Sequence, residues 1–341
     1  MKRTELAELG EFGLIKHLTQ HFPLRQKSSI KGVGDDAAIL HFPADEQVVM
    51  STDLLVENIH FDLIYTPLKH LGYKSVAVNL SDIYAMNAQP SQITVSIAVS
   101  NRFSVEALEE LYAGIALACE EYGVDLVGGD TSSIPRGLVI SITALGHAPA
   151  TQLCRRDGAQ VGDILCVTGD LGGAYLGLQL LEREKQIYLE NPQMQPLLEG
   201  KDYMVGRLLK PQARKDIYEY FQKVGLKPTA MLDVSDGLSS DLLHLCTQSG
   251  LGAFVEEAQV PIAQPCFHQA LEFNLDPITC ALHGGEDYEL LFTIRPDDIH
   301  KIRYMLDIKM IGEMTEASEG LRLHTKGGNV HKLSAQGWRH V

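Results

Sequence analysis

Residues 32–61 constrain the chain more than any other stretch. Gly32-Val-Gly-Asp-Asp-Ala-Ala-Ile-Leu40 is followed, after a short polar break, by Met50-Ser-Thr-Asp-Leu-Leu-Val-Glu-Asn-Ile-His-Phe61. Two apolar runs, 37–40 and 48–50, read as strands with acids at their ends: Asp35 and Asp36 before the first, Asp53 after the second. If these strands pair antiparallel, at least three carboxylates crowd one edge of a sheet. Like charges held that close are costly unless something positive lies between them. A divalent cation is the simplest answer, and an all-oxygen donor set favours Mg²⁺ over Zn²⁺.

The 341 residues are enough for two domains, and 45% hydrophobic content supplies ample core. A formal net charge of −15 with no basic stripe argues against a nucleic-acid binder. An acidic protein that handles phosphates needs cations to offset repulsion, so charge and carboxylate cluster agree. No signal peptide and no membrane-length apolar run is visible, and the six cysteines lack any Cys-x-x-Cys pair. Buried, reduced thiols in a cytoplasmic protein are the expectation.

Along the chain, residues 4–21 have helical spacing and residues 22–31 read as a polar, mobile connection. Thr66-Pro67 opens a helix that ends before Pro90; on it Ser75, Asn79 and Asp82 form a polar stripe, which spacing alone assigns to a solvated face. Residues 92–100 alternate as a half-buried strand, Ser104 caps a helix to about Tyr122, and two strands follow over 124–131 and 138–145. This half, 1–148, reads as one α+β domain. Residues 149–341 read as a second, α/β domain: strand 164–168, a helix from Leu171, an irregular stretch at 185–212 that could be an insertion or lid, a strand into Asp233, a helix from about Ser239, a glycine loop into a strand after Leu282, helix 297–306, strand 308–313, and a hairpin turning at Gly327-Gly328.

Several motif matches fail on their sequence context. Gly32-Val-Gly-Asp-Asp-Ala37 formally fits the dinucleotide fingerprint, but it lies between a non-strand and a strand, and its aspartates would repel a pyrophosphate. Asp233-Val-Ser-Asp-Gly-Leu-Ser-Ser-Asp241 lacks the glycine and glutamate positions of a calcium loop. Some of its residues fit a helix N-cap, yet two aspartates beside Gly237 exceed what capping needs. Gly128-Gly-Asp-Thr131 and Gly284-Gly-Glu-Asp287 share a design, paired glycines followed by an acid, which suits either a tight turn or close approach to a ligand. There is no Walker cradle and no Gly-x-Ser-x-Gly elbow. Residue chemistry alone therefore reaches Mg²⁺-dependent phosphate chemistry and stops.

The ordered set of motifs resembles the thiamine-monophosphate kinase family over nearly the whole chain. It comprises Gly32-Val-Gly-Asp-Asp-Ala-Ala, Ser51-Thr-Asp with His60-Phe61, Asn79-Leu-Ser-Asp-Ile-x-Ala-Met86, Gly128-Gly-Asp-Thr, Asp233-Val-Ser-Asp-Gly-Leu and Gly284-Gly-Glu-Asp-Tyr-Glu-Leu. The larger group includes aminoimidazole ribonucleotide synthetase and selenophosphate synthetase. The resemblance implies that group's two-domain fold, a homodimer joined through the N-terminal sheets, and transfer of a phosphoryl group from ATP to thiamine monophosphate with several Mg²⁺ ions. By motif it implies Asp35, Ser51, Thr52, Asp53, Asp82, Asp130, Asp233 and Asp236 as metal ligands, with Asp36 in a supporting or capping role. Gly129, Asp130, Arg156 and Ser235 would contact ATP; His60, Glu286 and Trp338 would contact the acceptor. Tyr84 and Asn87 replace small residues of the pattern, and Arg339 departs from it beside Trp338. Within the fold the competing expectation is a synthetase of the aminoimidazole ribonucleotide type; outside enzymes it is a nucleotide-binding scaffold.

Overall fold

The computed structural model describes residues 3–334. The chain divides into two compact units, one of residues up to Tyr84 with Ala88–Thr151, the other of Ala85–Asn87 with residues from Gln152 onward.

The first unit contains α1 (Leu6–Thr19), β1 (Ser29–Lys31), β2 (Ile39–Leu40), β3 (Glu46–Val56), α2 (Leu68–Ala85), β4 (Gln89–Val99), α3 (Val105–Tyr122), β5 (Asp125–Ser133) and β6 (Leu138–Pro149). Its main sheet has the order β3-β6-β4-β5, with only β4 and β5 parallel. Strand alternation gives the sheet two different faces. Leu55, Ile93, Val95, Ile97, Ile140, Ile142 and Ala144 are buried on one. On that side α2 comes so close to β6 that a Cβ on Gly146 would lie 2.3 Å from Ile83. The two helices also meet at glycines: a Cβ on Gly72 or Gly114 would stand 1.9 Å from a carbonyl of the other helix. Ser104 caps α3 as expected, accepting from Ala107 N at 3.3 Å.

The antiparallel pairing on which residues 37–40 and 48–50 would have brought their acids together does not form. β2 pairs with β1, so residues 22–31 are not a simple mobile connection, and β3 pairs along its length with β6. Apolar runs that short carry no partner choice, and an eleven-residue strand makes more ladder bonds with the twelve-residue β6 than with a two-residue neighbour. Arg25 N and Gln26 N bind the Asp125 carboxylate at 2.7 and 2.8 Å, and Gln92 Nε2 donates to the hydroxyls of Ser28 and Ser29. These bonds hold the 25–31 segment beside β5.

The second unit contains β7 (Ile164–Thr168), α4 (Gly173–Glu190), α5 (Asp202–Leu209), α6 (Lys215–Val224), β8 (Ala230–Asp233), α7 (Leu238–Ser249), β9 (Gly252–Glu256), α8 (Gln264–Glu272), α9 (Pro277–His283), β10 (Leu290–Ile294), α10 (Ile299–Ile302), β11 (Ile308–Thr315), β12 (Leu321–His324) and β13 (Val330–Lys332). Its sheet has the order β13-β12-β9-β11-β7-β10-β8. Both faces are covered, one by a core including Leu165, Val167, Leu232, Leu242 and Leu291, the other by one including Cys166, Phe221, Met231 and Phe292. The irregular stretch resolves into the end of α4, a loop, and α5. The helix expected over 297–306 shrinks to a short 3₁₀ turn and α10.

Asn87 explains one departure from the family pattern. It lies just past α2 with φ +53°, a left-handed conformation that asparagine tolerates better than most residues. Its amide is held by Gln152 O at 2.9 Å and Gln222 Nε2 at 3.1 Å. Tyr84 is fully buried, its ring 6.3 Å from that of Tyr122.

Candidate active site

In the first unit the acids divide between the two edges of the sheet. Asp53 lies within β3 rather than at its end, on the face toward α2. There Asn79 Oδ1 accepts from Asp53 N at 2.9 Å, and Asn79 Nδ2 donates to Ser75 O at 2.9 Å. Ser75 and Asn79 are 0% exposed, so the polar stripe on α2 is not a solvated face but the seam between helix and edge strand. One turn on, Asp82 accepts a short hydrogen bond from Ser51 Oγ. Burial first, and the Asp82 charge second, push the Asp53 carboxyl up to about 6. Ser51, Asp53 and Asp82 thus come together as an oxygen-only, mutually repelling set, the kind a hard divalent cation relieves. Thr52 points to the opposite face, where its hydroxyl donates to Ile142 O at 3.0 Å and accepts from Thr143 Oγ1 at 3.1 Å.

Asp130 stands opposite Ser96 on β5, at the far edge of the sheet. Three strand spacings, about 14 Å, separate it from β3, too far for Asp130 and Asp53 to share one ion. The paired glycines before it are not a turn but continue the strand. A Cβ on Gly129 would fall 1.8 Å from Val95 O, so only glycine lets β5 approach β4 here. Asp35 also belongs to this side, because Gly32 lies against Val127 of β5. Its carboxylate pairs with Lys31 and accepts from Asp36 N at 3.0 Å, and the Lys31 hydrogen bond holds it below the usual carboxylate range. Asp36 is exposed. His60 follows Asn58, which has φ +66°, and its Nδ1 accepts from Val56 N at 3.1 Å, which leaves Nε2 to carry the proton.

In the second unit two motif loops are stitched together by main-chain bonds. Glu286 N donates to Ser235 O at 2.7 Å, Tyr288 N to Val234 O at 2.8 Å, and Val234 N to Glu289 O at 2.7 Å. The glycines permit it: a Cβ on Gly285 would lie 2.7 Å from Ser235 O, and one on Gly237 2.9 Å from the His283 carbonyl carbon. Asp233, Ser235, Asp236 and Glu286 are therefore assembled where β8 ends and α7 begins. Sequence reasoning missed Asp241, a buried residue in the first turn of α7 that accepts from Asp236 N at 3.1 Å. Burial, then Asp233 and Asp236, push its carboxyl up to about 8. Its spacing in the aspartate-rich loop was the available signal. Arg156 is not brought into this group. Ser249 Oγ donates to its carbonyl at 2.8 Å, at the other end of α7, and a twelve-residue helix is about 18 Å long. Trp338 and Arg339 lie outside the described residues.

Among the described residues, no three His, Cys, Asp or Glu side chains are grouped to hold a metal by themselves.

Residues 34–148 match the family described as AIR synthase related protein, N-terminal domain. The chain is 36% identical over 322 residues to the thiamine-monophosphate kinase of Buchnera aphidicola from Schizaphis graminum, covering 93% of this chain and 94% of the relative. The chain belongs to the thiamine-monophosphate kinase family. The thiamine-monophosphate kinase of Stenotrophomonas maltophilia matches in structure with TM-score 0.79 and 32% identity, covering 95% of this chain and 98% of that one. A structure described as AaThiL complexed with AMPPCP and TMP matches with TM-score 0.76 and 31% identity over 100% of both chains. A hydrogenase maturation protein HypE with ATP shares the fold at 20% identity and TM-score 0.74. The two-domain fold expected from the motifs is thus the one the chain adopts.

Proposed function

We propose that this protein transfers the γ-phosphoryl group of ATP to thiamine monophosphate, giving thiamine diphosphate and ADP. Family membership supports the reaction. The observation that carries the site is the main-chain stitching of the Asp233–Gly237 loop to the Gly284–Glu289 loop, which sets a candidate acceptor contact, Glu286, beside a candidate ATP contact, Ser235. The acceptor is a phosphate monoester whose second pKa is about 6. It is largely dianionic at neutral pH and needs no general base.

The difficulty is repulsion between two anions in a protein of net charge −15. Mg²⁺ would supply the screening and hold donor and acceptor oxygens in line. Asp53 and Asp82 with Ser51, Asp130 with Asp35, and Asp233 with Asp236 are the residues that would hold it. The edge-to-edge separation of Asp53 from Asp130 supports more than one ion. The family pattern also supports Gly129 and His60 as contacts; Thr52, on the sheet face opposite Asp53, and Arg156, at the far end of α7, are not assigned with them, and Trp338 lies outside the described residues.

The uncovered face of the first unit's sheet supports a homodimer. Val48, Met50 and Leu54 are 46%, 70% and 53% exposed on β3, beside Thr94, Ser96 and Thr143, a mixed apolar and hydroxyl surface suited to a second copy. A cytoplasmic setting is supported by six free, buried cysteines; among the described residues no helix is long and apolar enough to cross a membrane.

Incubation with ATP, Mg²⁺ and thiamine monophosphate should yield thiamine diphosphate and ADP in equal amounts. ATP binding without transfer would refute the reading. With a chiral γ-phosphorus, direct transfer inverts configuration; retention would refute the single in-line step.

A further inference from the structure

Glu286 and Tyr288 have φ of +56° and +53°, a left-handed backbone that non-glycine residues avoid. Two such residues persist one apart only where their surroundings fix them. Exposure alternates through this stretch: Glu286 and Tyr288 are half-buried, whereas Asp287 and Glu289 are 1% and 2% exposed. The two inward carboxylates are where the loop is held.

Asp287 accepts from Gly172 N at 2.7 Å and Ala174 N at 3.4 Å, at the start of α4. Glu289 accepts from Thr168 Oγ1 at 2.6 Å and from Arg207 Nη1 at 2.8 Å, and it pairs with Arg214 Nη1. Arg207 Nη2 also donates to Asp287 O at 3.1 Å and Asp170 O at 3.0 Å. One guanidinium on α5 therefore grips both the side chain of Glu289 and the main chain of Asp287. Arg214 adds a second grip and is itself fixed by Asp216 and Asp307. The stretch expected to be an insertion or lid delivers the residue that clamps the motif.

We propose that Arg207 and Arg214 are positioning residues for the acceptor substrate: they hold the loop so that Glu286 is presented beside Ser235. This rests on the assignment of Glu286 as an acceptor contact. Neither arginine touches the substrate; both act through the loop.

The test is a double-mutant cycle on the purified protein, with KM for thiamine monophosphate and for ATP measured separately. Arg207→Lys keeps the charge but cannot span three acceptors as a planar guanidinium does. It should raise the thiamine monophosphate KM at least tenfold and leave the ATP KM within twofold. Glu286→Gln should raise the same KM, and adding Arg207→Lys to it should change little further, because the two act along one path. Thr168→Val, a milder loosening of Glu289, should raise that KM severalfold and serves if Arg207→Lys folds poorly by circular dichroism. Equal rises in both KM values, or a full Arg207→Lys effect persisting in the Glu286→Gln background, would overturn the proposal. If Glu286→Gln alone leaves the thiamine monophosphate KM unchanged while the wild type turns over, the Glu286 assignment falls and the clamp's role falls with it. An effect of Glu286→Gln without one of Arg207→Lys or Thr168→Val refutes the clamp alone.

Discussion

Asp82→Asn should make the metal-free protein more stable while abolishing its activity. The carboxyl of Asp53 is pushed from 3.8 up to about 6, by burial first and by Asp82 second. That shift corresponds to roughly 3 kcal/mol between the charged and neutral forms. Burial is the larger cause, so the Asp82 share stays below about 1.5 kcal/mol. The sign follows from the direction. A raised carboxyl pKa means that ionising Asp53 works against the fold, with no penalty below 3.8 and the full penalty above about 6. Asparagine at 82 keeps the shape and still accepts from Ser51 Oγ, so it removes the charge without removing the bond. For a domain of this size 1 kcal/mol moves Tm by about 2–4 °C. With EDTA at pH 8 the variant should melt about 1–5 °C above wild type, and the gap should close toward pH 4 as Asp53 protonates. In Mg²⁺ the same variant should form no detectable thiamine diphosphate. A lower Tm at pH 8, or turnover near the wild-type rate, would refute the pairing of Asp53 with Asp82 as the source of both effects.

What could be read from the sequence divides by the range of the interaction that decides it. Local signals read correctly: the apolar run of β7, the Ser104 cap and the hairpin turn at Gly327-Gly328 all follow from neighbouring residues. Partner choice did not. Ser51 pairs with Ala144 rather than with a residue of the 37–40 run, and no local pattern names a strand so distant. The stripe of Ser75, Asn79 and Asp82 has the same period whether it faces water or a buried strand edge; what decides is that β3 has an unpaired N–H at Asp53 for Asn79 to accept from. Gly128-Gly129 reads equally as a turn or as a strand under close approach, and the Val95 carbonyl settles it. Motif letters located the loops at 233–237 and 284–289, yet Arg207 and Arg214, which hold one of them, lie 82 and 75 residues from Glu289. Nothing in the spacing of a lone arginine marks such a partner.

Three further outcomes follow from the same contacts. Gly129→Ala would put a methyl 1.8 Å from Val95 O, so β4 and β5 must separate and the variant should be recovered unfolded or with a Tm many degrees lower; a normally melting Gly129→Ala protein would mean that the strands do not approach that closely. All six cysteines are buried, and burial pushes the thiols of Cys119, Cys154, Cys246 and Cys266 up to about 12. Ellman's reagent should therefore label none in the native protein at pH 8 and six after guanidinium, whereas fast native labelling would contradict their burial. Asn79→Ala leaves the Asp53 N–H without its acceptor, a loss of about 1–3 kcal/mol, and frees the strand segment that presents Asp53 to Asp82. Stability and metal use should both suffer, with a lower Tm and a higher Mg²⁺ concentration for half-maximal activity. Asn79→Asp separates the two: it restores the acceptor for Asp53 N, but it replaces the donor to Ser75 O with a second oxygen and places a third, buried carboxylate beside two that already repel, so the metal-free variant should melt no higher than Asn79→Ala. Metal-free Asn79→Asp should therefore be the variant whose Tm rises most steeply on adding Mg²⁺, and an Mg²⁺ response equal to that of Asn79→Ala would show that position 79 does not communicate with the carboxylate pair.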